Sequence, residues 1–482
     1  MALALCLFLP LIASSLSLLP FSRRAAAPIT LTTAATVLVC AIVASAETTR
    51  LGRLDALDGW LTCDALGALV LALVAFVAFT AALFSWGYMA HREEAGVAAG
   101  GLPRYYALFN LFVLSMLAVP ILANVALMWI AVELTTLLSA FLVGFEDTAE
   151  ALEAAWKYVM LTTLGAVLAL LGFLILYWGS RVAGYEPFTW AGLSQAAPHM
   201  PPSLLWPAFL LILVGFGTKV GLVPMHTWLP DAHSQAPAPV CALLSGVETT
   251  TVLYVILRLF PVVGANAGLD PRPWFVGFGL TSVAIATLLL IYVRDFKRMF
   301  AFSTIEHMGI ILVAAGLGGL DAHLGAAMQM TAHAATKSFC FFAAGATVMA
   351  VKTQEIESIR GLARSSPLVA LAFVAGAFAI AGAPPFGVFI SEFLILRAGF
   401  AAGQPLVGAL LAFFVVVAFC AVVFHANRMA FGAVESRTTA GPTPASCKLA
   451  LTLAFIPVVL FGVYVPAPLR DLLEAAAHAM GG

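Results

Sequence analysis

Charge is scarce in this sequence. Asp, Glu, Lys and Arg make up 10% of its 482 residues, against 62% hydrophobic residues and a mean hydropathy of +1.03. No water-soluble domain of this size has so little polar surface, so the composition is that of a polytopic membrane protein. The net charge of −1 leaves no basic face for phosphates, which argues against nucleic acid as a partner. Cysteine is also sparse. Seven residues (Cys6, Cys40, Cys63, Cys241, Cys340, Cys420 and Cys447) stand singly, mostly inside apolar runs, with no Cys-x-x-Cys and no Cys/His cluster. That disfavours an iron–sulfur cluster, a structural zinc or a disulfide framework and leaves them as small core residues. No strand is expected, so no glycine-rich nucleotide fingerprint has one to follow. Long soluble inserts, linkers and low-complexity tracts are missing too, the longest polar connections being 89–103, 179–202 and 432–447. Nothing suggests a separate catalytic domain, a metal or a cofactor of its own.

What the chain has is apolar runs long enough to span about 30 Å of hydrocarbon. They fall at roughly 3–20, 28–46, 64–88, 104–121, 122–145, 152–178, 203–223, 237–262, 273–293, 299–318, 323–350, 366–400, 404–431 and 448–465. The first resembles a secretory signal only superficially, because Arg23 and Arg24 follow the apolar run where a signal carries its charge before it. It reads as a retained helix. The fourth and fifth runs are nearly continuous, with a tight turn expected near Leu122 to Asn124. The run 366–400 is too long for one straight span and holds Gly382, Pro384, Pro385 and Gly387, so a broken helix is expected there. The fold class is therefore an all-α polytopic membrane protein of about fourteen transmembrane helices. With fourteen spans, odd-numbered loops carry fourteen Lys and Arg residues and the even-numbered loops and tail carry seven. This bias places the odd loops in the cytoplasm and both termini on the other side of a bacterial-type inner membrane. After Pro466, RDLLEAAAHAM reads as a short, weakly amphipathic helix at the surface.

The stretch Gly215 to Tyr254 organises the rest. Lys219 follows about sixteen apolar or small residues from Ser203, and Pro224 with a polar, proline-rich turn then interrupts the span. A lysine at the centre of a membrane helix costs roughly 2.5 to 3.5 kcal/mol on insertion scales, so it normally faces a hydrated interior and has a partner. A lysine in apolar surroundings readily gives up its proton, and a neighbouring carboxylate can move that proton on or off. The bland alternative is a lysine that snorkels or only packs helices together.

Further ionisable residues lie deep in expected spans: Glu133, Glu248, Glu306, His307, His333, Lys337 and Glu392. An isolated intramembrane glutamate would protonate without a cation nearby, and Lys219 is the candidate partner of Glu133, a purely structural ion pair being the plainer reading. Gln329, His333 and Lys337 recur every four residues and share one helix face, a polar stripe able to hold water and pass protons. Glu392 follows the Pro384-Pro385 break, where a carboxylate could exchange protons with one membrane face. His226, Asp231 and His233 sit in the turn after Lys219, where turn-forming and capping roles are the better reading. The two broken spans, carrying Lys219 and Glu392, occupy matching places in two five-helix blocks, spans 4–8 and 9–13. Paired interruptions of that kind point to a transport site at a repeat interface, and five spans per block makes the blocks inverted.

The segment KVGLVPMHTWLPDAHSQAPAPVCALLSG from Lys219, DFKRMFAFSTIEHMG from Asp295, HAATKSFCFFAAG from His333 and AGAPPFGVFISEF from Ala381 carry a strong family likeness. Over roughly residues 105–430 the chain resembles the antiporter-like subunits shared by respiratory complex I, membrane-bound group 4 hydrogenases and Mrp-type cation/proton antiporters. The resemblance implies fourteen helices with two inverted five-helix repeats (104–262 and 263–431), flanked by segments 1–103 and 432–482, and a central polar axis for protons. It assigns proton-carrying roles to Glu133, Lys219, His333, Lys337 and Glu392. Two departures stand out. Thr250 occupies the place of an eighth-helix lysine or histidine and cannot store a proton, which leaves the bridging site open, a threonine hydroxyl or Glu248 with water being the substitutes on offer. Glu306-His307 replaces a more usual serine-histidine pair, a feature that looks most like the F component of hydrogenase-4-type complexes.

The function expected is a proton-translocating membrane subunit of a complex I-like or group 4 hydrogenase-like assembly. Its partners would be other membrane subunits, peripheral redox subunits bearing iron–sulfur clusters or nickel–iron, and lipid, with protons or sodium as cargo. Two alternatives remain beside it: a subunit of an Mrp-type sodium/proton antiporter, and a scaffold whose channel is inactive.

Overall fold

The computed structural model describes residues 1–19, 24–96, 101–186, 188–433 and 443–481; Arg23 and Arg437, counted above for orientation, lie outside them. Helices dominate because hydrocarbon offers no partner for a free N–H or C=O, so each span must satisfy its backbone internally. From the N-terminus they are α1 (Ala2–Ser17), α2 (Ala26–Leu51), α3 (Ala65–Glu94), α4 (Leu102–Ala118), α5 (Val125–Val143) and α6 (Ala149–Val182). A broken pair, α7 (Pro202–Val220) and α8 (Trp228–Gln235), leads into α9 (Ala238–Gly264), then α10 (Arg272–Ile291), α11 (Phe296–Leu317) and α12 (Leu320–Val351). A second broken pair, α13 (Pro367–Ile380) and α14 (Gly387–Ala401), precedes α15 (Pro405–Phe431), α16 (Ala445–Val463) and α17 (Ala467–Ala479). Among the described residues eleven helices are long and apolar enough to cross a membrane, and the shorter apolar helices α1, α4 and α13 fall where further spans were expected.

Local chemistry sets the ends. Asn124 closes the tight turn between α4 and α5 by accepting hydrogen bonds from the Ala126 and Leu127 amides, and Thr148 caps α6 through the Ala151 amide. The first break has a simple cause: α7 ends at Gly221 in the left-handed region (φ +85°), whose amide closes onto Gly217 and Thr218. Pro224 then cannot continue a helix.

Two helix crossings are close enough to require glycine. A Cβ on Gly165 of α6 would fall 2.5 Å from the Gly215 carbonyl oxygen of α7, and one on Gly279 of α10 would fall 2.7 Å from the Gly309 carbonyl oxygen of α11. Small residues let helix backbones touch where lipid gives no hydrophobic drive to associate. The outward faces of α5, α6 and α15 remain apolar and exposed, whereas α9, α11 and α12 are buried along nearly their whole length.

Three expectations need correction. The chain does contain strands: Arg53–Ala56 and Leu61–Asp64 form an antiparallel hairpin, turned by Leu57, Asp58 and Gly59 at positive φ. It lies against the α4–α5 turn through a Leu61–Leu122 bridge. The turn after Lys219 is in part the helix α8, so Asp231 and His233 are helical. The C-terminal helix α17 is more strongly amphipathic than expected: it buries Leu472, Leu473, Ala476 and Ala477 against α3 and α12 while Arg470, Asp471 and Glu474 stay exposed at the surface. Five cysteines are buried as small core residues; Cys40 is half-buried, and Cys420 is exposed on α15.

Candidate functional site

Lys219 sits in the last turn of α7, where the partial negative charge of the helix C-terminus favours a cation. Its side chain is 1% exposed, with Nζ 3.2 Å from Glu248 Oε1, and it donates a hydrogen bond to Thr136 of α5. Glu248 is equally buried and also accepts from the Tyr158 hydroxyl of α6 at 2.9 Å. Tyr158 in turn shares a 2.7 Å hydrogen bond with Ser139, and its ring lies 5.9 Å from the ammonium. Two buried charges are tolerable only when paired and further hydrogen-bonded, and four helices converge here to do it.

The partner expected for Lys219 was Glu133, and the carboxylate in contact with it is Glu248. Glu133 is half-buried, accepts from Thr163 at 3.0 Å, and forms no ion pair with Lys219 among the described residues. Its second oxygen is buried without a partner among the described residues. Glu248 takes the contact because it ends a π-helical stretch, Leu244–Glu248, inside α9. One extra residue in that turn rotates the helix face, a distortion common at functional sites.

The same stretch reaches the second half of the chain. The Ser245 carbonyl accepts from His333 Nε2 at 3.1 Å and its hydroxyl pairs with Thr304 at 2.6 Å. Gly246 lets α9 and α12 approach, since a Cβ there would meet the Ala334 carbonyl oxygen at 3.2 Å. Lys337, fully buried, donates to the Phe300 carbonyl at 2.6 Å and to the Ser303 hydroxyl at 2.5 Å. Glu306, buried on α11, forms no ion pair with it among the described residues. Thr250 returns its hydroxyl to the Gly246 carbonyl at 3.1 Å and so turns inward on its own helix.

Beyond His333 the row continues through imidazole and amide. The His333 and His307 rings are 5.2 Å apart. His307 Nε2 lies 2.9 Å from the Ile380 carbonyl oxygen and Nδ1 lies 2.6 Å from Gln329 Nε2. A carbonyl can only accept and an amide nitrogen only donate, so these partners fit the tautomer protonated at Nε2. Gln329 accepts from Ser391, the neighbour of Glu392. Glu392 is 6% exposed rather than open to a membrane face, and its carboxylate lies against Gly382 of the second helix break, where a Cβ would collide with it.

The remaining candidates divide. Asp231 pairs with Arg298 at 2.6 Å and Lys157 at 3.3 Å, a charge cluster that ties α8 to α6 and α11. His226 is half-buried in the turn before α8, its carbonyl receiving the Leu229 amide. His233 is buried, bonded through Nδ1 to the Leu229 carbonyl at 2.8 Å, with its ring 5.4 Å from Phe341. Among the described residues none of the three forms a hydrogen bond or ion pair with the row. Sequence reasoning missed Thr136, Ser139, Tyr158, Ser245, Ser303, Thr304 and Ser391, because a hydroxyl in a membrane helix normally bonds its own backbone and leaves no sign of a second partner.

Residues 122–420 match the sequence model of the NADH:quinone oxidoreductase/Mrp antiporter transmembrane family, and residues 57–106 match that of the NADH-ubiquinone oxidoreductase (complex I) chain 5 N-terminus. The chain belongs to this antiporter-like family. It is 40% identical over 408 residues to a hydrogenase-4 component F homolog of Methylacidiphilum infernorum, covering 84% of this chain and 85% of that one. It is 30% identical over 395 residues to NADH-quinone oxidoreductase subunit N of Desulforudis audaxviator, covering 78% and 75%. Among solved structures, a chain of the membrane-bound sulfane sulfur reductase, an archaeal respiratory membrane complex, superposes with a TM-score of 0.87 at 25% identity, covering 99% of this chain and 97% of that one. The protein is thus an antiporter-type membrane subunit like those of complex I and group 4 hydrogenases, and the expected all-α membrane fold is that of the family.

Proposed function

We propose that this subunit moves protons across the membrane, driven by electron transfer in partner subunits of a complex I-like or group 4 hydrogenase-like assembly. The observation that carries the reading is the buried Lys219–Glu248 ion pair, joined by the π-helical stretch of α9 to the row His333, His307, Gln329 and Ser391. Glu248 supplies on α9 the titratable group that Thr250 cannot. Proton transfer from Lys219 to Glu248 discharges both, and separating the pair recharges them, so a small movement of the broken helix α7 changes where the proton resides. The Glu248 Oε2 and His333 Nδ1 atoms are buried without partners among the described residues. Such atoms are where ordered water binds, linking the ion pair to Lys337 and Glu392. Glu133 sets the field at Lys219 from the rim, Lys337 relays, and Glu392 loads or releases.

In this reading residues 104–262 and 263–431 are the two inverted units, both termini face away from the cytoplasm of an inner membrane, and the redox partners hold the iron–sulfur or nickel–iron centres. The test is proton uptake into inverted membrane vesicles, followed with a pH-sensitive dye while substrate oxidation is measured in parallel. Lys219→Met should abolish uptake. Uptake that persists in the variant assigns the chain to a scaffold role, and uptake that requires sodium without electron transfer assigns it to an antiporter.

A further inference from the structure

A cavity of about 510 Å³ opens at one end of α5 and α6, and none of the polar row's side chains lines it. Its volume lies in the range of small-molecule sites. The wall is apolar and open to the outside: Leu137 (52% exposed), Phe141 (50%), Leu152 (51%) and Trp156 (65%). Its rim is not. Arg104, in the first turn of α4, and Asp147, in the α5–α6 turn, both line it, both are exposed, and neither has an ion-pair partner among the described residues. Among the neighbouring charges Arg92 pairs with Glu146, and Lys157 with Glu153 and Asp231, while Glu150 in the first turn of α6 stands outside the cavity lining. Arg104 and Asp147, the charged residues of the lining, thus share the mouth of a greasy groove at the level where three helices end, which is the boundary between hydrocarbon and water. A tryptophan beside it suits that boundary.

We propose that this cavity seats the headgroup of a zwitterionic, amine-bearing phospholipid, its phosphate on Arg104 and its ammonium on Asp147. One acyl chain lies along Leu137, Phe141, Leu152 and Trp156. The charge pattern selects within the lipid class. An anionic headgroup would meet Asp147 with like charge, and a quaternary ammonium has no N–H to donate to that carboxylate. The site also backs onto the ion pair, because the turns of α5 and α6 that form its wall carry Thr136, Ser139 and Tyr158 on their inner faces.

The test is lipid retention on the purified assembly, measured by native mass spectrometry after exchange into equal mixtures of phosphatidylethanolamine, phosphatidylcholine and phosphatidylglycerol. The wild-type protein should keep phosphatidylethanolamine in preference to the other two. Arg104→Gln should lower that retention about twofold to fivefold, the range for exposed ion pairs, while Arg104→Lys keeps most of it. Asp147→Asn should erase the preference over phosphatidylglycerol. Both residues lie outside the polar row, so an unchanged melting temperature confirms that the variants are folded. Equal retention of the three lipids by the wild-type protein, no response to either substitution, or loss of a neighbouring protein subunit in place of lipid would each overturn the proposal. Retention does not depend on ion movement, so it can fail while proton transport stands, and the reverse.

Discussion

Replacing Glu248 with glutamine tests the ion pair most directly. The amide keeps the size of the side chain and can still accept from Tyr158, but it removes the only charge in contact with Lys219 among the described residues. At 3.2 Å and an effective dielectric constant near 20, the lost attraction is about 5 kcal/mol. That agrees with the about 3–5 kcal/mol measured when one partner of a buried pair is removed. Lys219 must then either stay charged and destabilise the fold by that amount, or stay neutral and take no part in transfer. Even 3 kcal/mol is a factor of about 100 in population, so proton uptake by inverted vesicles should fall about a hundredfold. Substrate oxidation by the partner subunits need not fall in parallel. The double substitution Lys219→Met/Glu248→Met separates stability from function, since a buried pair replaced by apolar groups is often neutral or stabilising; its melting temperature should recover while uptake stays absent. Normal uptake by Glu248→Gln, with uptake lost instead in Glu133→Gln, would refute the assignment of Glu248 as the working partner.

Other substitutions probe the supports of the row. Tyr158→Phe removes a hydrogen bond to a charged group worth about 1.5–3 kcal/mol, and should slow uptake and lower the melting temperature by a few degrees in a thermal scan. Gly382→Ala puts a Cβ into the Glu392 carboxylate at a positive φ and should destabilise by about 1–3 kcal/mol. Adding Glu392→Ala should restore part of the stability but none of the uptake, and no such rescue would show that the two do not clash. Gly215→Leu should force α6 and α7 apart and lower the yield of assembled complex on a native gel, whereas the same change at Gly277, which has open space around its Cα, should not.

How much of this was legible in the sequence depends on what each feature rests on. Lys219, His333, Lys337 and Glu392 stood out because a charge or imidazole inside an apolar run is costly wherever the fold puts it, and all four prove buried. The helix breaks were equally plain, since proline and glycine act on their own backbone. Partner choice was not readable. Glu133 and Glu248 look alike in sequence, each a single carboxylate in a greasy span, and only the crossing of α5, α6, α7 and α9 makes Glu248 the contact of Lys219 and leaves Glu133 on Thr163. Tyr158 was hidden for a different reason. A tyrosine one residue after Lys157 suggests the membrane boundary, yet its hydroxyl points inward to Ser139 and Glu248.

The π-helical stretch explains both why Glu248 meets Lys219 and the most useful departure from the family pattern. A regular helix turns 100° per residue, so Glu248 and Thr250 would differ by about 200° and could not address the same partner. Sequence comparison by position therefore sets Thr250 where a titratable group belongs and counts that group as missing. In the wider turn at Leu244–Glu248 the Ser245 carbonyl accepts from both the Thr249 hydroxyl and His333, and Glu248 meets Lys219, while Thr250 turns back to Gly246. A charge lost at one position of the helix is thus supplied two residues earlier by a change in backbone geometry. It follows that restoring lysine at position 250 should not improve transport. In a fully buried helix a second ammonium would compete with Lys219 for the same carboxylate, and Thr250→Lys should lower uptake in vesicles; a gain in uptake would show that the eighth span works from Thr250 and that Glu248 is only a structural counter-ion.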